Sequence, residues 1–445
     1  MKLINRFITY NILNFNTISM KRITLFLAII TISSFAYSQD LEYAKSVVKK
    51  LASPELQGRG YTANGNFLAA EFISGEFKRF GLVPYGKSYY QKFNISINTF
   101  PNKLSLKING ETLKPGIDYL IHASSPGIKG KFNIIKVRKN EIDSDDKLAA
   151  LIKKAGDKFI LIDETEKASG DIELNKKIKY NVSYLKTNAQ IPCKGIIIYT
   201  NEKLTFEAST SQNVRPIVII NKAMDLNSFN SLELTIDSKF IKRYETQNVV
   251  GCIKGSVNPD SMIVITSHYD HIGQMGKATF FPGANDNASG VAMNLSLAAY
   301  YSKNKPKYTM VFIALSGEEA GILGAKAFAA NPLITLNKIK FLVNFDMAGT
   351  GEEGIKVVNG SVYQDNFDLL SKINTEYKLV PKVDIRGESC NSDHCPFYQK
   401  GVPCFFIYTQ GGIKAYHDIY DIYETLPFTA FVGYRKLMIK FFDTI

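Results

Sequence analysis

Residues 262–270 read MIVITSHYD, an apolar run that passes directly into a histidine and an aspartate. The same pattern, a short apolar run followed by acidic or imidazole residues, recurs downstream. The predicted strands of this kind are Met262–Thr266, Thr309–Leu315, Lys340–Asn344 and Cys404–Tyr408. Helical periodicity separates them over Ser289–Tyr301 and Gly321–Ala330. This alternation predicts an α/β fold with a mixed, mostly parallel central sheet and helices on both faces.

The hydrophobic pattern of the remaining chain predicts further structural regions. Its 445 residues are too many for one simple core. Residues 39–95 begin with helical periodicity and are predicted to join residues 246–445 in one domain. Between them, residues 96–245 alternate short β-like runs with lysine-rich segments, which predicts an inserted β-rich domain.

Residues 1–38 predict an export signal. Met20-Lys21-Arg22 is basic, residues 23–36 are almost wholly apolar, and Ala36-Tyr37-Ser38 offers small residues to a signal peptidase. We therefore expect cleavage after Ser38 and a periplasmic or secreted protein, with an upstream extension before Met20. The alternative, a membrane anchor, needs a longer apolar run, so no membrane contact is expected after cleavage.

Charge and cysteine usage narrow the function classes. The formal net charge is +13, but lysine and arginine are scattered without a dense run. We interpret this charge as a solvated basic surface rather than a nucleic-acid site. No C-x-x-C pair occurs among the five cysteines, so a cysteine-type zinc site is not expected. The oligomeric state is not fixed by these features.

Polar residues at the ends of the predicted strands are expected to converge on one rim, because ligands of open α/β sheets bind at the carboxyl ends of strands. These residues are His268, Asp270, Glu318, Glu319, Asp346 and a later histidine, His394 or His417, with Asp286 in a nearby loop. Imidazole nitrogen and carboxylate oxygen are zinc ligands, and buried carboxylates without a cation are costly. Two-metal hydrolases share bridging ligands. The inventory therefore predicts two zinc ions per chain, with Asp286 between them.

Individual roles follow from position. Adjacent residues rarely reach the same metal, so with Glu319 as a ligand, Glu318 is the candidate general base. Asp270, two residues after His268, is predicted to accept the imidazole N–H that points away from the metal. The spacing alone leaves the choice between His394 and His417 open.

Several motifs together resemble the co-catalytic, two-zinc aminopeptidase family of metallopeptidase clan MH. Its members include bacterial leucyl aminopeptidase, glutamate carboxypeptidase and glutaminyl cyclase. The matching motifs are His268-Tyr269-Asp270, residues 285–290 (NDNASG), Ser316-Gly317-Glu318-Glu319, Asn344-Phe345-Asp346 and Ser392-Asp393-His394. Their order and spacing match over residues 248–445, and residues 51–59 look like the start of the family's exported members.

The resemblance implies a zinc exopeptidase-like fold and a ligand assignment. One zinc would be held by His268 and Asp346, the other by Glu319 and His417, with Asp286 shared and Glu318 as the base. The ligand lies in the later histidine motif of the family, which favours His417 over His394.

Three further features follow from the same resemblance. The tyrosine before the ligand histidine, Tyr416, resembles the residue that polarises the scissile carbonyl in the glutamate carboxypeptidase branch. A cis peptide is expected at Asp286-Asn287. The inserted region looks weakly like the protease-associated domains of some relatives, over residues 194–199.

The predicted function is a zinc exopeptidase acting on peptides, with an aminopeptidase favoured. A glutaminyl cyclase-like acyltransferase would need one zinc, and the apparently full two-metal set argues against it. A carboxypeptidase is a closer alternative, because its carboxylate pocket is not readable from sequence. A non-catalytic binding module would normally lack a ligand or the base, and neither is missing.

Overall fold

The computed structural model describes residues 39–165 and 170–445. The predicted export signal over residues 1–38 therefore lies outside the described residues. Among the helices of the described part, none combines the length and apolar character that crossing a membrane requires.

The strands of the described residues are Val83–Pro84 (β1), Tyr90–Thr99 (β2), Leu104–Ile108 (β3), Glu111–Leu113 (β4), Tyr119–Ile121 (β5), Ile128–Val137 (β6), Phe159–Asp163 (β7), Gly195–Tyr199 (β8), Ile217–Ile220 (β9), Ser231–Ile236 (β10), Lys239–Ile253 (β11), Asn258–His268 (β12), Gln274–Met275 (β13), Thr279–Phe280 (β14), Tyr308–Leu315 (β15), Ile339–Phe345 (β16), Gly354–Val358 (β17), Val383–Ile385 (β18) and Cys404–Gln410 (β19).

The α-helices are residues 39–51 (α1), Gly65–Arg79 (α2), Asp145–Ala155 (α3), Ile172–Thr187 (α4), Gly290–Lys303 (α5), Leu323–Ala330 (α6), Gln364–Tyr377 (α7), His394–Tyr398 (α8) and Phe431–Thr444 (α9). Short helical turns lie at Pro54–Arg59, Lys139–Glu141, Leu226–Ser228, Ala284–Ser289, Leu336–Lys338 and Tyr423–Thr425.

The larger sheet contains the four strands that the apolar runs predicted. Its order is β1-β11-β15-β12-β16-β19-β17-β18, with β2 paired to β11. Strands β15, β12, β16 and β19 are parallel to one another, and antiparallel pairs flank them. The prediction of a mixed sheet is confirmed. Its centre is parallel, although parallel and antiparallel pairs are equal in number over the whole sheet. Strands β15 and β16 are buried almost throughout, as continuous apolar runs in covered parallel sheets should be.

Helices cover both faces of this sheet, as predicted. On one face, α1, α2, α5, α7 and α9 supply apolar side chains to the largest core cluster. On the other face, Ala325 and Phe328 of α6 and Phe397 of α8 pack with Val264 and Leu342 of the sheet. At its carboxyl end, each of the central strands β12, β15, β16 and β19 passes into a loop and not directly into a helix.

The inserted region builds its own sheet, in the order β4-β3-β10-β6-β7-β8-β9-β5. Strands β2 and β11, which flank it in the chain, pair with each other and belong to the larger sheet. Helices α3 and α4 pack on one face of the inserted sheet. The prediction of a β-rich insertion omitted these helices, because their lysines obscure the three- and four-residue spacing of Leu148, Leu151 and Ala155.

The opposite face of the inserted sheet packs against loops of the larger domain. Ile272, Met275 and Phe281, which follow β12 in the chain, lie in the same core cluster as Leu161 and Val218 of the insertion. The two domains therefore share apolar core beside the loops that follow His268.

Candidate metal centre

The predicted ligands meet at the carboxyl ends of the central strands. Two groups of ligand atoms form there, each with its atoms within 4.8 Å of one another. One group contains His268, Asp286 and Asp346. The other contains Asp286, Glu319, His417 and a further residue, His271. Asp286 is common to both groups, which is the position that a bridging carboxylate requires.

The first group is set by the register of two neighbouring strands. His268 ends β12 and Asp346 directly follows β16, and these strands are paired in parallel up to Thr266 and Asn344. The Nε2 atom of His268 lies 3.3 Å from Oδ1 of Asp346 and 3.4 Å from Oδ1 of Asp286. Ser392 donates a hydrogen bond of 2.8 Å to the other oxygen of Asp346. All of these side chains are buried, so their geometry is fixed by packing as well as by bonding.

The loop that carries Asp286 is anchored to the segment that carries Asp346. The side-chain amide of Asn287 donates to the carbonyl of Phe345 at 3.0 Å, and its oxygen accepts from the N–H of Met347 at 3.1 Å. These two bonds bracket Asp346. The Asp286-Asn287 peptide is cis, as the resemblance implied.

Glu318 and Glu319 follow β15, and Asp270 holds their backbone. Its carboxylate accepts the N–H groups of Glu318 and Glu319 at 3.2 and 3.3 Å, and the hydroxyl of Tyr61 at 2.7 Å. The predicted hydrogen bond from the His268 imidazole to this carboxylate is wrong, because Nδ1 lies 3.8 Å from Oδ1, within ion-pair distance but too far for a hydrogen bond. The imidazole N–H instead faces the backbone carbonyl of Asp270 at 3.1 Å. Asp270 thus orients the glutamates with its side chain and the histidine with its main chain.

His417, and not His394, lies in the cluster. Its Nε2 atom is 3.1 Å from Oδ2 of Asp286 and 3.0 Å from Oε2 of Glu319. His394 is fully buried elsewhere, bonds the carbonyl of Ser389 at 2.7 Å, and packs on the ring of Phe406. The geometry therefore favours the choice that the resemblance implied.

His271 is a functional candidate that the sequence interpretation missed. Its Nδ1 atom lies 2.6 Å from Oε1 of Glu319, so it bonds the carboxylate oxygen that does not face His417. The ring is fully buried, and no protein atom within the described residues partners its Nε2 atom. The available signal was its position three residues after His268, on the same strand-ending loop. Donors of this kind orient metal-binding carboxylates.

Arg59 is a second residue that was missed as a candidate. It is completely buried, and its guanidinium donates to the carbonyls of Leu51, Tyr269, Pro282, Gly283 and Asp286 at 2.7 to 3.3 Å. These hydrogen bonds therefore hold Tyr269, the residue after His268, close to the loop of Asp286. Burial lowers the pKa of Arg59 to about 10, although nearby Asp286 and Asp421 favour its charge.

Asp421 completes the support of the Asp286 loop. Its two carboxylate oxygens accept the backbone N–H groups of Asn285 and Asp286 at 2.8 and 2.9 Å. Burial raises the pKa of Asp421 to about 7, against the lowering effect of these hydrogen bonds. The loop after β19 therefore contributes His417 and also fixes the loop of Asp286.

The electrostatics of the cluster favour positive charge. Burial lowers the pKa of His417, but Glu319 and Asp286 outweigh burial and raise it to about 11. The pKa of His268 is likewise raised well above its usual range, because Asp346 and Glu318 overcome burial. Although burial acts to raise it, hydrogen bonds from the two histidines hold the pKa of Asp286 well below its usual range. Buried carboxylates that raise the pKa of both imidazoles in this way form an excess of negative charge, which divalent cations bound in place of those protons would neutralise.

Glu318 differs from its neighbour Glu319. Burial raises the pKa of Glu318 well above its usual range, and the carboxylates of Asp393 and Asp346 raise it further against the opposing effect of His268. A carboxyl group with a raised pKa can accept and return a proton near neutral pH.

Tyr416 lies beside the cluster, at its exposed side. Its ring stacks on that of His417 with centroids 4.0 Å apart, and 44% of the residue is exposed. Burial and the carboxylates of Asp286 and Glu319 raise its pKa, so the phenol stays a hydrogen-bond donor. Its predicted role as an oxyanion donor stays a prediction.

Comparisons relate the chain to known peptidases. The sequence profile of peptidase family M28 matches residues 248–442. A protein of Leptosphaeria maculans named "Probable zinc metalloprotease" is 36% identical over 111 residues, 24% of this chain and 26% of that protein. Aminopeptidase YwaD of Bacillus subtilis is 27% identical over 251 residues, 54% of this chain and 53% of that protein. The structure of BSAP, a zinc aminopeptidase from B. subtilis, superposes with a TM-score of 0.65 at 20% identity, covering 90% of this chain and 93% of that chain.

These matches differ in what they cover. The chain spans about a quarter of the length of the L. maculans protein and about half of YwaD. The BSAP superposition covers nearly all of both chains, and at 20% identity it shows a common fold that includes the insertion.

Proposed function

Residues 248–442 belong to peptidase family M28, and from this premise we propose that the chain is a zinc-dependent exopeptidase, specifically an aminopeptidase with two zinc ions. One observation carries the proposal: two groups of buried or half-buried histidine and carboxylate ligands share the single carboxylate of Asp286. Imidazole and carboxylate are the donor set of zinc in hydrolases, and a shared carboxylate is typical of paired metal ions.

Zinc would be held by His268 and Asp346 in one group and by Glu319 and His417 in the other, with Asp286 between them. The fit rests on charge as well as distance, because the carboxylates that raise the pKa of both histidines would be neutralised by zinc, which would bind the imidazoles in their neutral form and displace their protons. Zinc in such a site acts as a Lewis acid toward a carbonyl and makes water more acidic.

Glu318 supplies the proton transfers. It takes a proton from the attacking water as the new C–O bond forms, and returns that proton to the amine nitrogen as the C–N bond breaks. Burial and the nearby carboxylates of Asp393 and Asp346 raise the pKa of Glu318, which increases its affinity for this proton. The backbone of Glu318 is held by Asp270, so the base has a fixed position relative to the ligand Glu319.

In this proposal Tyr416 donates a hydrogen bond to the developing oxyanion. Two observations support that role: its ring lies against His417, and its raised pKa keeps the phenol protonated. The substrate class is peptides with a free amino terminus, as the names of YwaD and BSAP state for those proteins. Export by the signal over residues 1–38, with cleavage after Ser38, is part of the same proposal.

The test is turnover of aminoacyl-nitroanilides by the purified chain, with zinc counted per chain in the same sample. We expect hydrolysis that a chelator abolishes and zinc restores. Hydrolysis only of peptides with a free carboxyl terminus would indicate a carboxypeptidase. Cyclisation of glutamine-terminal peptides without nitroanilide hydrolysis would contradict the proposal.

A further inference from the structure

The segment between β8 and β9 of the insertion reaches across to the loop that carries His417. The ammonium of Lys203 lies 2.9 Å from the carbonyl of Lys414, 3.1 Å from that of Tyr416, and 2.5 Å from Oδ2 of Asp418. An ammonium has three N–H donors, and all three are directed to this one loop. The acceptors lie on both sides of His417 in the chain.

A second contact reinforces the first at His417 itself. The backbone N–H of Phe206 donates to the carbonyl of His417 at 2.8 Å. Phe206 is buried and stacks on Phe281, with ring centroids 4.8 Å apart and planes at 12°. Phe281 lies shortly before the Asp286 loop, so the same segment of the insertion contacts two of the loops that carry ligands.

The backbone at His417 needs such support. Its φ is +53°, in the left-handed region that non-glycine residues adopt at a cost. A residue in this conformation keeps it only where its surroundings hold the neighbouring peptide groups. The bonds from Lys203 and Phe206 fix the carbonyls of Tyr416 and His417, the two peptide groups that define this turn.

We propose that Lys203 is a positioning residue for His417, and that the insertion thereby sets the affinity of the metal bound by His417 and Glu319. The inference rests on the proposed function for the identity of the metal. It assigns the insertion a part in the metal centre, although the ligands themselves belong to the larger domain. Lys203 touches neither substrate nor metal and acts through the loop.

The test compares Lys203→Met with Lys136→Met in the full chain. Methionine keeps the length of the side chain and removes the charge and all three donors. Lys136 is a matched control, because its ammonium bonds Asn227 and Asn230 within the insertion. Zinc binding is titrated in metal buffers after chelation, and the two binding steps are measured separately.

We expect Lys203→Met to weaken one zinc-binding step by about tenfold or more, the range found when a support of a ligand is removed, and to leave the other step unchanged. Lys136→Met should bind zinc as the parent does, and excess zinc should restore the activity of Lys203→Met. Parental affinity in both steps for Lys203→Met would overturn the inference, as would an equal loss in Lys136→Met.

A second variant keeps the test decisive if Lys203→Met does not fold. Asp418→Asn keeps the side-chain shape but removes the charge that Lys203 pairs with, and should weaken the same step. Parental zinc binding by Asp418→Asn would then overturn the inference. If the parent protein binds two zinc ions without hydrolysing peptides, the proposed function fails and the positioning role stands. If the parent protein hydrolyses peptides and both variants bind zinc with the parental affinity, only the positioning role fails.

Discussion

Replacement of Arg59 by methionine should damage both the stability of the fold and its zinc binding. The guanidinium is fully buried and makes five hydrogen bonds, all to backbone carbonyls. At a net value of about 1 kcal/mol per bond, their loss amounts to about 5 kcal/mol. Burial offsets part of this, as the lowered pKa of Arg59 indicates. We therefore expect the free energy of unfolding to fall by about 3–5 kcal/mol, the usual cost of breaking a buried charged network.

The insertion offers a matched control in Arg215. This arginine is also buried, and it donates to the carbonyls of Leu185, Asn188, Ala189 and Ile191, all within the insertion. Arg215→Met should cost a comparable free energy, about 3–4 kcal/mol for four bonds. It should leave zinc affinity unchanged, because none of its acceptors belongs to a ligand-bearing loop. Arg59→Met should weaken zinc binding by about tenfold or more.

The assay is urea unfolding of zinc-free protein followed by circular dichroism, since the chain contains no tryptophan. Zinc affinity is then titrated under conditions where each variant is folded. An Arg59→Met protein within about 1 kcal/mol of the parent would refute the stability argument. Equal loss of zinc affinity in Arg59→Met and Arg215→Met would refute the claim that Arg59 acts on the metal loops.

The remaining predictions concern the metal centre itself. Glu318→Gln should keep the fold and the zinc but lower turnover of aminoacyl-nitroanilides by about 10²–10⁴, the contribution of a general base; unchanged turnover would remove Glu318 from that role. His417→Ala should lower the zinc content per chain more than His394→Ala does. The opposite order in metal analysis would mean that His394, and not His417, is the ligand. His271→Ala should weaken one zinc-binding step by about tenfold, because Glu319 loses its orienting donor. His271→Gln retains a donor and should lose less affinity, so equal losses in a titration would count against that role.

The sequence predicts those parts of the molecule whose determinants are local. The strand ending at His268 contains the apolar run Met262–Ile265, and burial on both faces of a parallel sheet demands such a run. The convergence of His268, Glu319 and Asp346 follows from topology, because parallel strands end at one edge. The choice of His417 over His394 needed the family resemblance, since both histidines follow polar segments at plausible spacings.

The supports of the site could not be predicted in the same way. Arg59 bonds carbonyls more than 200 residues away, and a backbone carbonyl carries no signal of residue type. Lys203 contacts a loop 211 residues further along the chain for the same reason. Asp270 was assigned to the wrong partner because spacing from His268 does not reveal that the Glu318–Glu319 backbone lies closer to its carboxylate. The periodicity of apolar residues predicts which side chains face a core. The contacts of Arg59, Lys203 and Asp270 depend instead on how loops that are distant in the chain pack against one another.

The most direct test of the metal centre is the zinc content of Asp286→Ala beside that of Asp346→Ala. Asp286 belongs to both ligand groups, whereas Asp346 belongs to one. After equilibration at a fixed free zinc concentration, the parent should carry two zinc ions per chain, Asp346→Ala about one, and Asp286→Ala close to none. A parent without zinc, or an Asp286→Ala protein that retains as much zinc as Asp346→Ala, would contradict a shared carboxylate at the centre of the site.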